Sequence, residues 1–199
     1  MRAAPSLVAA LTLAVGFAGC RAKEETPDVP KLLRDMRSPD PQVAGQARLA
    51  LLQLGEPAVP ALSELLRSGS NADRIAAANT LWAMGGRARG AVPDLATMLA
   101  DPEAELRLAA AMALQTIGDA AAAATPALAS AVSDRDVRVR QAAVKALGAI
   151  GPPAAAALPA LTHVLRRGSW PEAEEAVRRI RGLAPGAPIE LGPVEPEQP

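Results

Sequence analysis

One spacing recurs through this 199-residue chain and sets most of what it can fold into. Four prolines are separated by 33 residues each time, each two residues before a leucine: Pro60, Pro93, Pro126 and Pro159. A glycine after a large apolar residue has nearly the same period: Gly55, Gly85, Gly118 and Gly151. A fixed period of about 20–50 residues is typical of solenoids, in which each unit packs on its neighbours. The spacing therefore predicts a repeat protein and argues against an enzyme.

Each unit is predicted to form two helices. Aligned on the glycines, five units span about residues 29–55, 56–85, 86–118, 119–151 and 152–184. The first helix has the proline either in its first turn or at a kink farther along. The second helix has three constant columns spaced i, i+4, i+7, which lie on one face. The columns are Ala47/Ala77/Ala110/Ala143/Ala176, Leu51/Leu81/Leu114/Leu147/Ile180 and Leu54/Met84/Ile117/Ile150/Leu183.

Composition agrees with a helical fold. The chain has one Phe, two Trp and no Tyr, so the aromatic residues that favour strands are nearly missing. The glycine after each second helix is predicted to be a left-handed C-cap, which the fifth unit lacks. With 21 basic and 21 acidic residues the formal net charge is zero, which gives no general attraction to nucleic acid. We therefore expect an all-α solenoid of about five helix pairs that does not bind nucleic acid.

Two segments carry a family resemblance. The sequences DPEAELRLAAAMALQTIG and DRDVRVRQAAVKALGAIG resemble HEAT repeats of the short bacterial type found in phycobilin lyases. The resemblance extends over about residues 29–184 and is weaker in the first and fifth units. It implies a right-handed superhelix and a structural ladder of arginines with acids in the turns: Arg74, Arg107 and Arg140 with acids such as Asp101 and Asp134. It also implies one enzymatic alternative, a lyase or a lyase-like accessory subunit.

The N-terminus is predicted to be an export signal. Met1-Arg2 is followed by an apolar stretch, Leu7 to Gly19, that suits a signal peptide and is too short for a lasting membrane span. The closing FAGC resembles the lipobox of bacterial lipoproteins, in which the cysteine is lipidated after cleavage. We expect residues 1–19 to be a lipoprotein-type signal, Cys20 to carry lipid and residues 20–28 to form a polar tether. An ordinary secretory signal is the alternative.

The mature protein is then expected to be exported and anchored by lipid to a bacterial membrane, facing the periplasm or the outside. This location argues against the lyase alternative, because that chemistry is cytoplasmic in the family. At the other end, residues 185–199 hold five prolines and three glutamates. Their composition predicts a disordered tail.

Residues suited to catalysis or metal binding are scarce. His163 is the only histidine and Cys20 the only cysteine, which excludes a histidine- or cysteine-rich metal site. No Gly-x-Ser-x-Gly turn accompanies His163, which we interpret as a surface or packing residue. Arg87 and Arg89 lie in a glycine-containing turn and are expected to be solvated charges rather than an anion site. We predict no catalytic, cofactor or metal site.

Function is expected where the repeat varies, because a solenoid keeps its core constant and changes its exposed face. Three variable columns of the second helices share one face, apolar in the first units and mainly basic in the last. Such a face suits an extended peptide or a helix with an apolar segment and an acidic flank. The predicted partner-binding residues are Leu49, Leu52, Asn79, Trp82, Met112, Gln115, Lys145, Arg178 and Arg181.

Trp82 is the expected anchor of this face, because truncating a Trp or Arg hot spot costs about 2 kcal/mol or more. The alternative is that the apolar part packs between adjacent units, and it applies most to Leu49 and Leu108. Trp170 is expected to pack the last turn against the fourth unit. These features together predict a monomeric, non-catalytic scaffold that binds another protein, with a purely structural spacer as the remaining alternative.

Overall fold

The computed structural model describes residues 28–191, which form ten α-helices and no strand. The helices alternate along the chain as the first and second helices of five units. They are α1 (Val29–Asp35), α2 (Pro41–Leu54), α3 (Val59–Ser68), α4 (Asn71–Met84), α5 (Val92–Met98), α6 (Ala104–Ile117), α7 (Thr125–Ala131), α8 (Val137–Ile150), α9 (Leu158–Arg167) and α10 (Pro171–Arg181). The predicted all-α solenoid of helix pairs is confirmed.

Short 3-10 helices join each unit to the next. They span Glu56–Ala58, Gly85–Ala91, Gly118–Ala124 and Pro152–Ala157. Each is followed directly by a first helix, and the repeated proline lies in the first turn of that helix. Proline is tolerated there because its missing N–H would have no acceptor within the helix. Of the two alternatives for the proline, the first-turn position is therefore correct.

The repeated glycine ends four of the second helices in a different conformation from the predicted one. Gly118 has φ 72° and ψ −137°, and the equivalent glycines of the other three units are similar. This positive φ favours glycine, but ψ lies far from the left-handed helical value of about +47°. The prediction of left-handed caps was wrong in these units, because the extended ψ directs the chain into the 3-10 helix.

The fifth unit has the left-handed cap that it was predicted to lack. Gly182 has φ 65° and ψ 28°, and the Leu183 N–H donates to the Arg178 carbonyl at 2.9 Å. This Schellman arrangement ends α10 at Arg181. Leu183 therefore lies beyond the helix and is 40% exposed, so its assignment to a buried column was also wrong.

The core is one cluster that continues from the first unit to the fifth. The alanine column and the central leucine column of the second helices are buried in all five units, as predicted. In the third column Met84, Ile117 and Ile150 are buried, and Leu54 is half-buried. Alanine at helix contacts lets neighbouring helices approach closely. Trp170 is half-buried and packs against this core just before α10.

The chain turns back on the solenoid after α10. The Ala187 N–H donates to the Ala184 carbonyl at 3.1 Å, and Gly186 between them has φ 77°. Proline at the second position and glycine at the third are typical of a type II turn. Ile189 and Leu191 then pack against the core. The disordered tail was therefore predicted wrongly for residues 185–191, where a specific turn and apolar contacts outweigh composition.

The remaining predictions for the chain ends lie outside the described residues. They are the signal at residues 1–19, the lipid on Cys20, the tether up to residue 27 and the tail from residue 192. Within residues 28–191 no helix is both long and apolar enough to cross a membrane.

Candidate functional site

Five of the nine predicted partner-binding residues line one hollow on the face formed by the second helices. The hollow has a volume of about 480 Å³ and is lined by Leu49 and Leu52 of α2, Asn79 and Trp82 of α4, and Met112 of α6. Leu49 is 60% exposed, Trp82 45% and Met112 39%. Three large apolar side chains therefore share one opening to solvent. Clustered exposure of this kind marks interaction surfaces, whereas single exposed apolar residues do not.

The hollow exists because α2 packs much more loosely on α4 than α4 does on α6. Gly45 of α2 contributes no side chain to it, and a Cβ at this position would meet no atom within 4 Å. At 60% exposure Leu49 does not pack between units, so that alternative was wrong for this residue. Leu108 is half-buried and does pack against the core.

The backbone beside the hollow is fixed while the side chains stay accessible. Thr116 Oγ1 donates to the Trp82 carbonyl at 2.9 Å, and Arg87 Nη1 donates to the Leu52 carbonyl at 3.1 Å. Thr116 belongs to the unit after Trp82, and Arg87 to the 3-10 helix Gly85–Ala91 that follows the second unit, so both bonds fix the last turn of a second helix to a later part of the chain. Arg87 lies over Gly55, where a Cβ would come within 3.3 Å of Nη1. Binding at this hollow would therefore order little backbone, which lowers the entropic cost of association.

Arg48 is a residue of the hollow that the sequence analysis did not single out. It lines the hollow and is exposed. The equivalent positions in later units carry small or medium apolar residues that are buried: Ala78, Ala111, Val144 and Val177. An arginine within a column of alanines and valines is the sequence signal that would have identified it. It places one positive charge beside the apolar surface.

Gln115 and Lys145 lie in a separate cavity farther along the same face. This cavity is about 420 Å³ in volume, lies between α8 and α10, and is also lined by Glu172, Glu175 and Arg179. Its lining has two basic side chains, Lys145 and Arg179, and two acidic ones, Glu172 and Glu175, so the formal charges cancel. The predicted change to a mainly basic surface was therefore wrong here, because α10 brings two carboxylates to this part of the face.

Arg178 and Arg181 bind the chain's own C-terminal segment and line neither cavity. Arg178 Nε donates to the Ala187 carbonyl at 2.9 Å, and Arg181 Nη1 donates to the Glu190 carbonyl at 2.8 Å. Arg178 also pairs with Glu174 at 3.1 Å. These two residues are thus separated from the other seven predicted residues. The Pro185-Gly186 pair was the sequence signal that the segment turns back.

A buried ion pair joins the third and fourth units. Arg107 is 5% exposed and donates from Nε and Nη2 to the two carboxylate oxygens of Asp134, at 2.7 and 2.8 Å. Its Nη1 donates to the carbonyls of Asp101 and Pro102. The hydrogen bonds from Arg107 hold the pKa of Asp134 below its ordinary value. The predicted structural ladder is confirmed at this interface.

The ladder of arginine–aspartate pairs extends back to the second unit and ends at the fourth. Arg74 pairs with Asp101 at 2.8 Å and donates to the Leu66 carbonyl. Arg140 donates to the Asp134 carbonyl at 2.8 Å within its own unit. It has no next rung because position 167, one period after Asp134, is arginine.

Residues 28–191 contain no cluster of three or more His, Cys, Asp or Glu side chains that could hold a metal ion. His163 is exposed on α9. Arg87 is engaged by the Leu52 carbonyl, and Arg89 pairs with Glu56 at 3.1 Å, so both arginines make structural contacts.

Comparison with known proteins places the chain in a family. The sequence profile for HEAT repeats matches residues 29–115 and 92–181. No curated relative matches the chain. An engineered protein of solved structure has a TM-score of 0.59 at 23% identity, covering 77% of this chain and 79% of its own.

Two further solved structures share the fold. A chain from the complex of CpcE and CpcF of phycocyanin lyase from Nostoc sp. PCC7120 has a TM-score of 0.58 at 23% identity, covering 77% of this chain and 97% of its own. A designed armadillo repeat protein in complex with the peptide (KR)4 has a TM-score of 0.57 at 21% identity, covering 75% and 79%. Identities this low establish the fold alone. Because the repeat profile spans most of the chain and the helix pairs repeat with it, this chain belongs to the HEAT repeat family.

Proposed function

We propose that this chain is a non-catalytic protein-binding module that is held at a bacterial membrane by lipid on Cys20. It binds a segment of another protein in the hollow lined by Leu49, Trp82 and Met112. The observation that carries the proposal is this hollow of about 480 Å³, into which three large apolar side chains are exposed. Solenoids recognise their partners on such extended faces of stacked helices.

The groups around the hollow indicate the chemistry of the bound segment. Most of the surface is apolar and comes from three successive second helices, so the segment carries apolar side chains at more than one position. Asn79 offers an amide that both donates and accepts hydrogen bonds. Arg48 lies at the same surface and favours an acidic residue beside the apolar ones. An extended peptide or a helix with an apolar segment and an acidic flank meets these conditions.

Two proteins of the same fold support a polypeptide as the partner. The designed armadillo repeat protein was solved with a peptide, and the phycocyanin lyase chain was solved in the complex of CpcE and CpcF. The lyase alternative rests on the likeness to the phycocyanin lyase chain, which at 23% identity supports a common fold and not a common activity.

The membrane part of the proposal rests on the apolar stretch and the FAGC motif that ends at Cys20. Helix α1 begins at Val29, so eight residues separate the proposed lipid from the first helix. Eight residues reach about 30 Å when extended. The first unit, and with it Leu49, is therefore kept close to the membrane surface.

The anchor is tested by replacing the cysteine. Wild-type protein expressed in bacteria with a labelled fatty acid is expected to carry the label and to sediment with membranes, and Cys20→Ser is expected to do neither. A single acyl chain binds membranes only marginally, so loss of the whole lipid group should release the protein. Membrane association of Cys20→Ser equal to that of the wild type would contradict lipid anchoring.

The binding site is tested by photo-cross-linking in intact cells. A benzophenone amino acid replaces Trp82 in one variant and Val137 in a control, because Val137 is 52% exposed and lies outside the hollow. We expect one cross-linked protein from position 82 and none from position 137. The cross-linked peptide should contain apolar residues beside an acidic residue.

A companion variant checks the same site without a cross-linker. Trp82→Ala is expected to reduce recovery of that partner by about tenfold or more, as for an interface hot spot. Equal cross-linking from both positions, or unchanged recovery with Trp82→Ala, would show that the hollow is not the binding site.

A further inference from the structure

The end of the solenoid holds a short extended segment in the way that a protein holds a bound peptide. Three arginine side chains donate to backbone carbonyls of residues 187–191: Arg178 to Ala187 at 2.9 Å, Arg181 to Glu190 at 2.8 Å and Arg166 to Leu191 at 2.7 Å. Backbone carbonyls are common to every peptide. These contacts therefore recognise an extended main chain rather than one particular sequence.

The side chains of the segment supply the apolar part of the contact. Ile189 and Leu191 are half-buried against the core, while Glu190 between them is exposed. Residues two apart in an extended chain point to the same side. The segment thus presents two apolar side chains to the solenoid and one carboxylate to solvent.

The segment does not fill the surface that it covers. A cavity of about 270 Å³ remains among Leu165, Glu174, Arg178 and the segment residues Pro188, Ile189 and Leu191. Its lining includes the charged side chains of Glu174 and Arg178, so part of the surface beside the segment stays uncovered.

We propose that this end surface is a second peptide-binding site, separate from the hollow around Trp82. In the isolated chain it is occupied by residues 187–191, and it accepts from a partner an extended segment with two apolar residues on either side of an acidic one. A bound partner segment displaces the chain's own segment, because both use the same three arginines. Arg178 and Arg181 act in recognition through this surface and not through the second-helix face.

The test uses the full chain and a synthetic peptide of residues 183–191 as the probe. Ile189→Ser with Leu191→Ser weakens the resident segment, and Ala184→Ser is the control at an exposed position. Cleavage after the exposed Glu190 by a glutamate-specific protease should be slow in the wild type and the control, and fast in the first variant, because a docked segment does not enter the protease. Peptide affinity should be at least about tenfold higher for the first variant, because an occupied site lowers apparent affinity by the unoccupied fraction.

A second pair of variants identifies the recognising side chains. Arg178→Gln with Arg181→Gln should both release residues 187–191 and lose binding of the added peptide. Arg179→Gln is the control, since Arg179 lies on the same helix and its side chain pairs with Glu175 at 3.1 Å.

Three results would overturn the proposal. They are cleavage after Glu190 that is already fast in the wild type, peptide affinity that is equal in all variants, and slow cleavage that persists after Ile189 and Leu191 are both changed. The Trp82→Ala variant should bind this peptide normally. Failure of the first proposed site is therefore distinguishable from failure of this one.

Discussion

The interface between the third and fourth units and the interface between the first and second are built from the same repeat, and they differ. Helices α6 and α8 pack closely, and Arg107, which is only 5% exposed, forms an ion pair with Asp134 between them. Helix α2 packs loosely on α4, and Leu49 is 60% exposed there. The first unit has Ala44 at the position that Arg107 holds in the third. Where the repeat keeps the ladder arginine, as at Arg107, neighbouring units pack closely. Where the repeat has lost it, as at Ala44, the adjacent second helices pack loosely and apolar side chains are exposed.

The largest expected effect on stability is at the interface between the third and fourth units, which we call the closed interface. Arg107→Ala should lower the free energy of unfolding by about 3–5 kcal/mol, because it leaves the Asp134 carboxylate buried without its partner. Arg138 pairs with Glu105 at 2.8 Å but is 51% exposed. Arg138→Ala should cost less than about 1 kcal/mol. Urea denaturation of both variants checks this comparison of two ion pairs between the same units, and similar costs would mean that burial does not set the contribution of the Arg107–Asp134 pair.

Replacing a leucine by alanine should destabilise the protein strongly at the interface of the third and fourth units and very little at that of the first and second. Leu114 is fully buried, so Leu114→Ala should cost about 2–5 kcal/mol through lost burial and a residual cavity. Leu49→Ala should change stability by no more than about 0.5 kcal/mol, since the side chain is mostly in solvent. Thermal and urea unfolding of the two variants measure this difference. A large loss for Leu49→Ala would show that Leu49 packs between units after all.

Glycines at a closely packed interface and at the loosely packed first interface give a smaller contrast, and Gly148 lies where α8 packs on α10, between the fourth and fifth units. A Cβ at Gly148 would lie 3.3 Å from both Cα and Cβ of Ala176, so Gly148→Val should cost about 1–3 kcal/mol by overpacking. A Cβ at Gly45 meets nothing within 4 Å, and Gly45→Ala should stabilise the helix by about 0.5–1 kcal/mol. Both are read from the midpoint of denaturant unfolding. A destabilising Gly45→Ala would contradict the open packing of α2.

The smallest effect is the contribution of the closed interface to acid stability. Arg107 lowers the pKa of Asp134 in the folded protein. Its stabilisation is therefore complete above the unfolded pKa of about 4 and is lost as pH falls through the lower folded value. The difference in unfolding free energy between wild type and Arg107→Ala should shrink below about pH 4. A difference in unfolding free energy that stays constant down to pH 2 would show that the ionised Asp134 carboxylate does not cause the cost of losing Arg107.

The scaffold was predictable from the sequence because its causes repeat. The alanine and leucine columns occur at a fixed period and are buried where the period places them. The period of the prolines left open whether they lie in the first turn, and the Arg107–Asp134 pair was expected from the resemblance to HEAT repeats. The exposure of the Leu49 side chain was not predictable, since it depends on how closely α2 packs on α4. Arg178 was assigned to the wrong surface for a similar reason. Its acceptor, the Ala187 carbonyl, belongs to a segment with no counterpart in the repeat.

The central claim is that function lies where the repeat is broken, at the open interface of the first two units. Leu49→Asp and Val137→Asp test it most directly, because each adds the same charge at an apolar residue that is more than half exposed: 60% and 52%. With the partner identified by cross-linking, the account predicts that Leu49→Asp weakens its binding by about tenfold or more, equivalent to about 1.4 kcal/mol, while Val137→Asp leaves the affinity unchanged. Equal affinities for the two variants would contradict the claim.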